Sequence, residues 1–434
     1  MKEFLKKFIP SPVLDLYHFI LAFFGALIYR FPSRPSGRGS PEAARGLKVI
    51  GVTGTNGKTT VVEMISKILE GAGYKVALAN SIRFKIGEKE WPNELRMTMP
   101  GRFKLQKFLR QAVNSGCRYA VLEVTSEGIK QYRHKFINFD VAVFTNLAPE
   151  HIEAHGSFEK YREAKGQLFQ ATKNIHIINI DDENAEYFLK FPAERKYTYG
   201  LNKGDVNNRN LQLNLRLIGG FNIYNALSAI SVGISQGIDL EICKSVVEKI
   251  KGIPGRMEIV IEKPFKVFVD YAFTPNALEK VYQTLQRTKN KEQRTKMICV
   301  LGACGGGRDK WKRPVLGELA GKYCNEVIVT NEDPYDEDPM EIINQVANGA
   351  FKEISANQRT NQRTNQRQSA SIYKILDRRE AIRKSLGLAK PGDTVIITGK
   401  GCEPSIVEKG KKIPWDDRKV VKEEFEKIRK IKKI

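Results

Sequence analysis

A glycine-rich stretch with a lysine and two adjacent threonines, residues 51–60, has the composition of a nucleotide-phosphate site. A β-branched run, 47–50, precedes it, and apolar residues at helical spacing follow it. A strand, a glycine turn and a helix together present backbone N–H groups and a helix N-terminus to a polyphosphate. We therefore expect Lys58 to reach the terminal phosphates and the hydroxyl of Thr59 or Thr60 to face Mg²⁺.

Acidic and histidine side chains follow the next predicted strands. Glu123 ends an apolar run, and ligands of open α/β sheets bind beyond the carboxyl ends of strands. A carboxylate at that place suits Mg²⁺ beside the phosphates, and a solvated strand-end glutamate is the alternative. Residues 145–156 follow a further strand and contain His151 and His155 beside two glutamates, which indicates a second metal or a phosphate contact, with a structural role for one of the two histidines as the alternative.

One lysine interrupts an apolar helix face. Ser157 can cap the helix that follows it, and Tyr161, Lys165 and Leu168 then fall on one side at helical spacing. A lysine in such a stripe is costly unless it is paired or chemically altered. Two interpretations stay open: the side chain reaches past the apolar surface to water, or it reacts with CO₂ to give a carbamate that supplies a carboxylate for metal.

Further polar groups suit nucleotide and carboxylate binding. Asn222 and Asn225 open another helix, and their amides can read a purine edge. Asp270, at a strand end, can accept from ribose hydroxyls. The glycine turn 302–307 is followed by four cations within 308–313, a set that suits carboxylate or phosphate.

The elements that must position these residues belong to an α/β protein. Near-continuous apolar strands alternate with helical segments, which indicates parallel sheets covered on both faces. The expected organisation of the 434 residues is a short segment 1–46, a central domain 47–252 and a smaller domain 253–434. The net charge of +23 favours anionic partners or reflects a generally basic proteome, and the six cysteines contain no C-x-x-C pair, as expected for free thiols in a reducing cytoplasm.

Two segments stand apart. The apolar run 16–29 is shorter than the roughly 20 residues that span a bilayer, so it predicts either a helix in the membrane interface or a helix packed on the protein. A linker is expected over 32–45. The four-residue repeat in 357–367 has no apolar side chain to bury, which predicts a disordered, solvated loop over 356–369.

Taken in chain order, these motifs resemble those of the Mur ligases, the ATP-dependent amide-forming enzymes of peptidoglycan synthesis. The resemblance is closest to the branch that adds the third amino acid to UDP-N-acetylmuramoyl-L-alanyl-D-glutamate. The segments that carry it are 54–59, 122–126, 145–147 with His151, 161–165, 221–225, 254–256, 270–275, 308–313, 399–403 and 414–418.

The resemblance implies a P-loop central ATPase domain with a parallel sheet and a smaller Rossmann-like C-terminal α/β domain. It also implies that ATP phosphorylates a substrate carboxylate and that an amino group then attacks the acyl phosphate. Lys58 is expected to hold the phosphates, Thr59 and Glu123 one Mg²⁺, and His151 with a carbamylated Lys165 a second Mg²⁺.

The remaining family positions are carried over residue by residue. The expected nucleotide-binding residues are Gly54, Thr55, Asn56, Gly57, Lys58, Thr59, Thr60, Asn222, Asn225, Arg256 and Asp270. The expected substrate-binding residues are Thr98, Thr125, Ser126, Arg308, Asp333, Tyr335, Gly399 and Glu403. Among them, Arg308 matches the residue that grips the α-carboxylate of the incoming amino acid.

The chain also departs from the family pattern. Glu127, Phe273 and Cys402 stand where the family has histidine, and the family's Asp-Asn-Pro-Arg signature for diaminopimelate reads Glu-Asp-Pro-Tyr at 332–335. Tyr335 lacks the bidentate grip of an arginine on a second carboxylate, and Asp333 suits a terminal ammonium. The expected substrate is therefore a diamino acid without a distal carboxylate, such as L-lysine, rather than diaminopimelate.

Family members carry an N-terminal domain of about a hundred residues that holds the UDP-sugar, whereas 46 apolar and basic residues precede the ATPase domain here. A lipid-linked muropeptide acceptor, with residues 13–30 touching the inner face of the membrane of a cytoplasmic enzyme, follows as a hypothesis. Two alternatives remain: a ligase of the same superfamily with a folate or poly-amino-acid acceptor, and a basic P-loop protein that binds nucleic acid or membrane. The motifs favour the muropeptide ligase, for which no nucleic-acid partner is expected.

Overall fold

In a computed structural model of the protein, residues 11–33, 46–95, 97–287, 295–361 and 370–432 are described. Up to residue 250 the elements are α1 Ser11–Ile28, β1 Lys48–Thr53, α2 Lys58–Gly71, β2 Val76–Ala79, β3 Arg83–Ile86, β4 Lys89–Pro92, α3 Arg102–Asn114, β5 Tyr119–Glu123, α4 Ser126–Lys130, β6 Val141–Phe144, α5 Ile152–His155, α6 Phe158–Ala171, β7 Ile175–Asn179, α7 Ala185–Leu189, β8 Arg195–Gly200, β9 Val206–Asn207, α8 Asn208–Leu211, α9 Phe221–Ser235 and α10 Leu240–Lys249.

Beyond residue 250 the elements are β10 Glu258–Ile261, β11 Lys266–Val269, α11 Pro275–Arg287, β12 Met297–Leu301, α12 Lys312–Tyr323, β13 Glu326–Thr330, α13 Pro339–Asn361, β14 Ser371–Ile375, α14 Arg378–Leu388, β15 Thr394–Ile397, β16 Ser405–Glu408, β17 Lys411–Pro414 and α15 Asp417–Lys432. Strands alternate with helices in both halves, which confirms the predicted α/β class.

The described residues group into two compact units. The first comprises residues up to 149, 157–216 and 221–250, and the second comprises 150–156, 217–220 and 251–434. Two segments of the range predicted for the central domain, 150–156 and 217–220, therefore belong to the second unit.

The first unit is built on a sheet with the strand order β4-β3-β2-β5-β1-β6-β7-β8-β9. Neighbouring strands from β2 to β9 run parallel, whereas β3 and β4 are antiparallel at one edge. The central strands β5, β6 and β7 are buried along their whole length, because helices cover both faces of the sheet. β5, β1 and β6 are adjacent and parallel, so the turns that follow them meet at one edge.

The second unit is also built on a mainly parallel sheet, with fewer strands. Its sheet has the order β10-β11-β15-β12-β13-β14, with only the β10–β11 pair antiparallel among these strands. The adjacent strands β15, β12 and β13 end at the same edge, where the segments beginning at Thr398, Gly302 and Asn331 follow them. The predicted combination of a P-loop domain and a smaller Rossmann-like domain is confirmed.

Helix α1 packs on the first unit through small residues. Ala22, Gly25 and Ala26 are buried, and a Cβ on Gly25 would be in ordinary van der Waals contact, at 3.6 Å, with the backbone of Arg102 and Phe103 at the start of α3. Arg110 donates to the carbonyls of residues 29 and 30 at 2.9 and 2.8 Å. In the described part of the chain, no helix combines the length and apolar character that crossing a bilayer requires.

The prediction of a disordered loop over 356–369 is wrong for its first residues. Helix α13 continues through Asn361, so residues 356–361 are helical. The helix is already nucleated by its buried apolar face, and glutamine and arginine extend a helix at little cost even where no side chain is buried. Residues 362–369, like most of the predicted linker, lie outside the described residues.

A buried ion pair joins α14 and α15. Arg378 donates from Nε and Nη2 to the two carboxylate oxygens of Asp417 at 2.9 and 2.7 Å, and both side chains are at most 1% exposed. Arg378 Nη2 also donates to the carbonyl of Thr398 beyond β15, at 2.8 Å. The pair therefore fixes the C-terminal helix to the sheet edge of the second unit.

Replacing Asp417 by asparagine should lower the free energy of unfolding by about 3–5 kcal/mol, because it leaves a buried guanidinium without its counter-charge. Glu426→Gln is the matched control, since Glu426 pairs with Arg429 at 3.3 Å on the same helix with both side chains about half exposed. The control should cost less than about 1 kcal/mol. Urea unfolding measures both variants, and equal losses would contradict this interpretation of the pair.

Candidate active site

The phosphate loop, residues 54–57, connects β1 to α2 and is held by the segment that follows the neighbouring strand β6. Thr55 N donates to Asn146 O at 2.8 Å, and Asn56 N donates to Asn146 Oδ1 at 3.0 Å. In return, Asn146 Nδ2 and Thr145 Oγ1 donate to Asn56 O at 3.0 and 2.7 Å. The polar residues after two adjacent parallel strands therefore set the conformation of the loop.

Lys58, Thr59 and Glu123 lie together at the start of α2 and the end of β5. The Thr59 hydroxyl donates to Glu123 Oε2 at 2.9 Å, and Lys58 Nζ lies 3.9 Å from Glu123 Oε1. Lys58 also donates to Thr55 O at 2.9 Å. Ser81, which follows β2, donates to the same Glu123 oxygen through its backbone N and its hydroxyl. Three predicted residues thus meet as expected, and Ser81 is an addition to them.

This oxygen set fits Mg²⁺. Within the described ranges, no group of three or more His, Cys, Asp and Glu side chains is placed to hold a metal. Magnesium is commonly held by one or two carboxylates together with substrate phosphates and water, so a threonine hydroxyl beside one carboxylate is the kind of set that it requires. Thr59 and Glu123 are the residues that would hold it.

Asn222 and Asn225 are brought to the phosphate loop. Asn225 Nδ2 donates to Asn222 Oδ1 at 3.0 Å, and both side chains are buried at the start of α9. The Asn225 Oδ1 atom lies so close to Gly57 that a Cβ there would be 2.4 Å away. Gly57 has a φ of 84°, so both its backbone conformation and its neighbour require glycine. Thr60, in the first turn of α2, is buried.

Lys165 is buried on the predicted apolar face of α6. Its side chain is 2% exposed, its ammonium donates to Gly54 O at 2.8 Å, and it lies over the Tyr161 ring at 4.5 Å from the centroid. The interpretation in which the side chain reaches water is therefore wrong, because the amine ends against the phosphate loop instead. Ser157 caps the helix as predicted, accepting from Lys160 N at 3.2 Å.

Three predicted substrate-binding residues, Thr98, Thr125 and Ser126, belong to the first unit. Thr125 caps α4 by accepting from Gly128 N at 3.0 Å, and Ser126 is buried. Arg133 donates to the carbonyl of Met99, directly after Thr98. Sequence reasoning missed Arg133, since it lies in a turn without a motif.

His151 belongs to the second unit, at the start of the short helix α5. Asp309 holds this helix by accepting from the backbone N atoms of Ile152 and Glu153 at 3.2 and 3.0 Å. Lys312 Nζ donates to Glu150 Oε1 at 2.8 Å, with both side chains almost completely buried. Burial raises the pKa of the Glu150 carboxyl, and the Lys312 ammonium offsets part of that rise. The backbone at His151 is left-handed, with a φ of 57°.

The four predicted cations of 308–313 divide by role. Lys312 pairs with Glu150, and Arg313 donates to both carboxylate oxygens of Glu337 at 3.1 and 2.9 Å. Lys310 also lies 3.3 Å from Glu337. The half-buried Arg308, in contrast, makes no ion pair with an acid among the described residues. It is therefore the cation of this run that is best placed to take a carboxylate from outside.

Asp270 and Arg256 lie together beyond β11. The two Asp270 oxygens accept from Met257 N at 2.6 Å and Ala272 N at 2.7 Å, and burial raises the pKa of this carboxyl. The Arg256 guanidinium lies over the Tyr271 ring at 4.5 Å from its centroid. Asp270 thus organises the backbone of this turn, which was not apparent from the sequence.

The segments after β13 and β15 form a second charged cluster. Lys400 is completely buried; its ammonium contacts the Glu403 carboxylate and donates to Asp333 Oδ2 at 2.8 Å. Asp333 Oδ1 also accepts from Val407 N at 2.7 Å, and Tyr271 donates to Glu403 Oε1 at 2.9 Å. Two predicted substrate-binding carboxylates therefore already share one lysine.

Glu332, Gly399 and Tyr335 surround this cluster. Glu332 is 2% exposed, it accepts from Cys304 Sγ at 2.9 Å, and its Oε2 has no hydrogen-bond partner among the described residues. A Cβ on Gly399 would lie 2.2 Å from that oxygen. Burial raises the pKa of the Glu332 carboxyl. Tyr335 lies against Gly306 of the glycine turn, where a Cβ would be 2.5 Å from its ring.

A phosphate loop in a parallel sheet followed by a smaller α/β unit with charged clusters at its strand ends defines the class of ATP-dependent ligases that form C–N bonds. Two family models match the chain: the Mur ligase middle domain over residues 52–233, and the glutamate ligase domain of the Mur ligases over residues 255–401. The chain belongs to the Mur ligase family, whose members couple ATP and Mg²⁺ to the formation of amide bonds.

Individual relatives also indicate the Mur ligase family. The UDP-N-acetylmuramoyl-L-alanyl-D-glutamate–2,6-diaminopimelate ligase of Syntrophomonas wolfei is 38% identical over 404 residues, which is 88% of this chain and 78% of the relative. A solved structure of an enzyme with that name aligns with a TM-score of 0.57 at 30% identity, over 88% of this chain and 79% of the other. Folylpolyglutamate synthase of Mycobacterium tuberculosis aligns with a TM-score of 0.63 over 90% and 96% of the two chains, but its 17% identity shows the fold alone.

The conformation of the phosphate loop gives a direct test. Gly57→Ala should weaken ATP binding at least about tenfold, because the new Cβ meets Asn225 in addition to the left-handed strain of about 1–2 kcal/mol. Gly73→Ala is the control, since Gly73 has a φ of 85° and a Cβ at that position would meet nothing within 4 Å. The control should lose only stability. Calorimetric titration with ATP and Mg²⁺ separates the two, and equal affinities would contradict the assigned role of Gly57.

Proposed function

We propose that this chain is a muropeptide ligase that adds a diamino acid to UDP-N-acetylmuramoyl-L-alanyl-D-glutamate. The observation that carries the proposal is the meeting of Lys58, Thr59 and Glu123 at the phosphate loop, as an ATP-dependent ligase requires. The named relatives, which resemble the chain over most of its length, supply the substrate class. A folate or poly-amino-acid acceptor, or a lipid-linked muropeptide, is the alternative.

The proposed reaction has two steps. A carboxylate oxygen of the acceptor attacks the γ-phosphorus of ATP, ADP leaves, and an acyl phosphate forms. The amino nitrogen of the incoming acid then attacks the acyl carbon, phosphate leaves, and the amine loses a proton. Lys58 holds the transferring phosphate, and Thr59 with Glu123 would hold a Mg²⁺ whose charge would offset the negative charge that develops there. Arg308 is proposed to hold the α-carboxylate of the amino acid, since it makes no ion pair with an acid of the described residues.

Two finer features belong to this proposal. His151 is proposed as a Mg²⁺ ligand, and Lys165 is proposed to become a carbamate that binds Mg²⁺. The burial of the Lys165 amine supports the carbamate, because a desolvated lysine is more readily deprotonated, and only a neutral amine reacts with CO₂. The new carboxylate would supply the oxygen ligand that Mg²⁺ prefers.

The carbamate can be tested without an activity assay. Protein equilibrated with ¹³C-bicarbonate should show a carbamate carbon resonance that Lys165→Arg removes and that Lys160→Arg, on the exposed side of α6, retains. Lys165→Arg should also lower the ligation rate by roughly a hundredfold or more, the loss expected for a missing electrostatic stabiliser. A resonance that survives in Lys165→Arg would contradict the assignment.

The amino acid is proposed to be L-lysine-like. Tyr335 offers no cation to a second carboxylate. At these strand ends, four carboxyl groups accompany the two cations Lys400 and Arg378: those of Glu332, Asp333, Glu403 and Asp417. This surplus of acid supports binding of a further ammonium, which would share Asp333 with Lys400. The relative from Syntrophomonas wolfei is a diaminopimelate ligase, so the two amino acids must be compared directly.

The deciding measurement is phosphate release from ATP with UDP-N-acetylmuramoyl-L-alanyl-D-glutamate and either L-lysine or diaminopimelate. Release should depend on both partners and should favour L-lysine at least about tenfold, because a charged hydrogen-bonded pair contributes about 1.5–3 kcal/mol. Tyr335→Arg should shift the preference towards diaminopimelate. A wild-type preference for diaminopimelate would contradict the amino acid proposal, and no release with any amino acid would contradict the acceptor.

The place of the reaction is a separate proposal. We propose a cytoplasmic enzyme that contacts the inner face of the membrane peripherally through residues 13–30. The large apolar side chains that α1 exposes support this contact, since burial of apolar surface is what holds an interfacial helix.

A further inference from the structure

Helix α1 exposes a continuous apolar face on the side opposite its contact with the protein. At about 100° per residue, Tyr17 and six large side chains without polar atoms fall within an arc of about 120°. The six are each 42–60% exposed: Val13, Leu16, Ile20, Phe24, Leu27 and Ile28. We call these six residues the α1 face. The buried Ala22 and Ala26 lie on the other side of the helix. Contiguous apolar surface of this kind marks an interaction site.

The elements beside the α1 face are basic. Helix α3 carries Arg102, Lys104, Lys107 and Arg110 and no acidic residue, and Lys104 and Lys107 are exposed. Arg102 contacts His18 of α1, and Arg110 holds the end of α1 at the carbonyls of residues 29 and 30. These contacts fix the row of positive charge next to the apolar helix.

On the opposite flank of the α1 face, aromatic side chains and a lysine lie together. Phe19 packs against Phe136 and Tyr132, with ring centroids 5.2 and 6.4 Å apart, and Lys135 lies over the Tyr132 ring at 5.9 Å. Asp15 is the one acidic residue between positions 11 and 33, and it falls outside the arc of the α1 face. An apolar face between basic flanks is complementary to lipid chains beneath anionic headgroups.

We propose that the α1 face and the lysines of α3 form a docking surface for an anionic membrane, such as one rich in phosphatidylglycerol. The inference rests on the peripheral contact proposed above and adds the headgroup charge and the residues that recognise it. A second copy of the chain is disfavoured as the occupant, because a symmetric contact would bring the same arginines and lysines of both copies together.

Vesicle flotation of the full chain tests the inference. Vesicles of phosphatidylglycerol and phosphatidylcholine should bind the protein at least tenfold more than vesicles of phosphatidylcholine alone, and added salt should weaken the binding. The double variant Lys104→Glu, Lys107→Glu should reduce binding to the level of neutral vesicles. The double variant Lys352→Glu, Lys419→Glu is the matched control, with the same charge change at lysines that are 81% and 78% exposed in the second unit, and it should lose less than twofold.

The contribution of the α1 face is tested with the double variant Ile20→Glu, Phe24→Glu, which should abolish binding to both kinds of vesicle while the thermal unfolding midpoint stays unchanged.

Equal binding of the wild type to neutral and anionic vesicles would overturn the headgroup inference and leave the peripheral contact standing. Binding to neither would overturn both. A dimer in size-exclusion chromatography that this variant dissociates would assign the face to a second copy and overturn the inference. Ligation of the soluble acceptor, measured without vesicles, reports separately on the catalytic proposal.

Discussion

The backbone of residues 54–57 depends on hydrogen bonds from Thr145 and Asn146, which follow an adjacent strand. Asn146 accepts from the loop, and both side chains donate to it, which fixes the direction of its peptide groups. The arrangement is possible because β1 and β6 are parallel neighbours whose carboxyl ends meet at one edge. Lys165 and Asn225 then contact the loop from two further helices. Neutral side chains on one neighbouring segment and the ammonium groups of Lys58 and Lys165 thus hold the loop together.

The second unit differs from the first in that many charged side chains lie at the ends of its strands. Many of them compensate one another in buried pairs, such as Lys312 with Glu150 and Arg378 with Asp417. Burial makes each such pair costly to break, so these side chains are fixed parts of the scaffold. Arg308 and Glu332 have no such partner, and together with Asp333 they are the groups whose chemistry a substrate can complete. This division separates structural charges from those that can bind substrate.

Sequence patterns were sufficient for the fold and for the phosphate loop. Buried parallel strands are continuous apolar runs, and the strand–loop–helix motif keeps Lys58 and Thr59 close in sequence as well as in space. The carboxyl-edge rule also located Glu123, and it could have located Ser81, which follows β2 at that edge. The pairs of the second unit were beyond this reasoning, because Glu150 and Lys312 are far apart in sequence and nothing local indicates that they meet. The repeat at 357–361 was misjudged for the related reason that a helix begun elsewhere can extend into it.

The contact of α1 through Ala22, Gly25 and Ala26 has a consequence for how its sequence is constrained. The buried small residues, together with Phe19 and Phe23 against Phe136, attach the helix to the protein, and the six side chains of the α1 face lie on its other side. Folding by itself sets no apolar requirement at those positions, and exposure of each large side chain to water lowers solubility. Folding and solubility alone would favour lysine, glutamate and glutamine on this face. The apolar residues found there therefore meet a requirement other than folding or solubility.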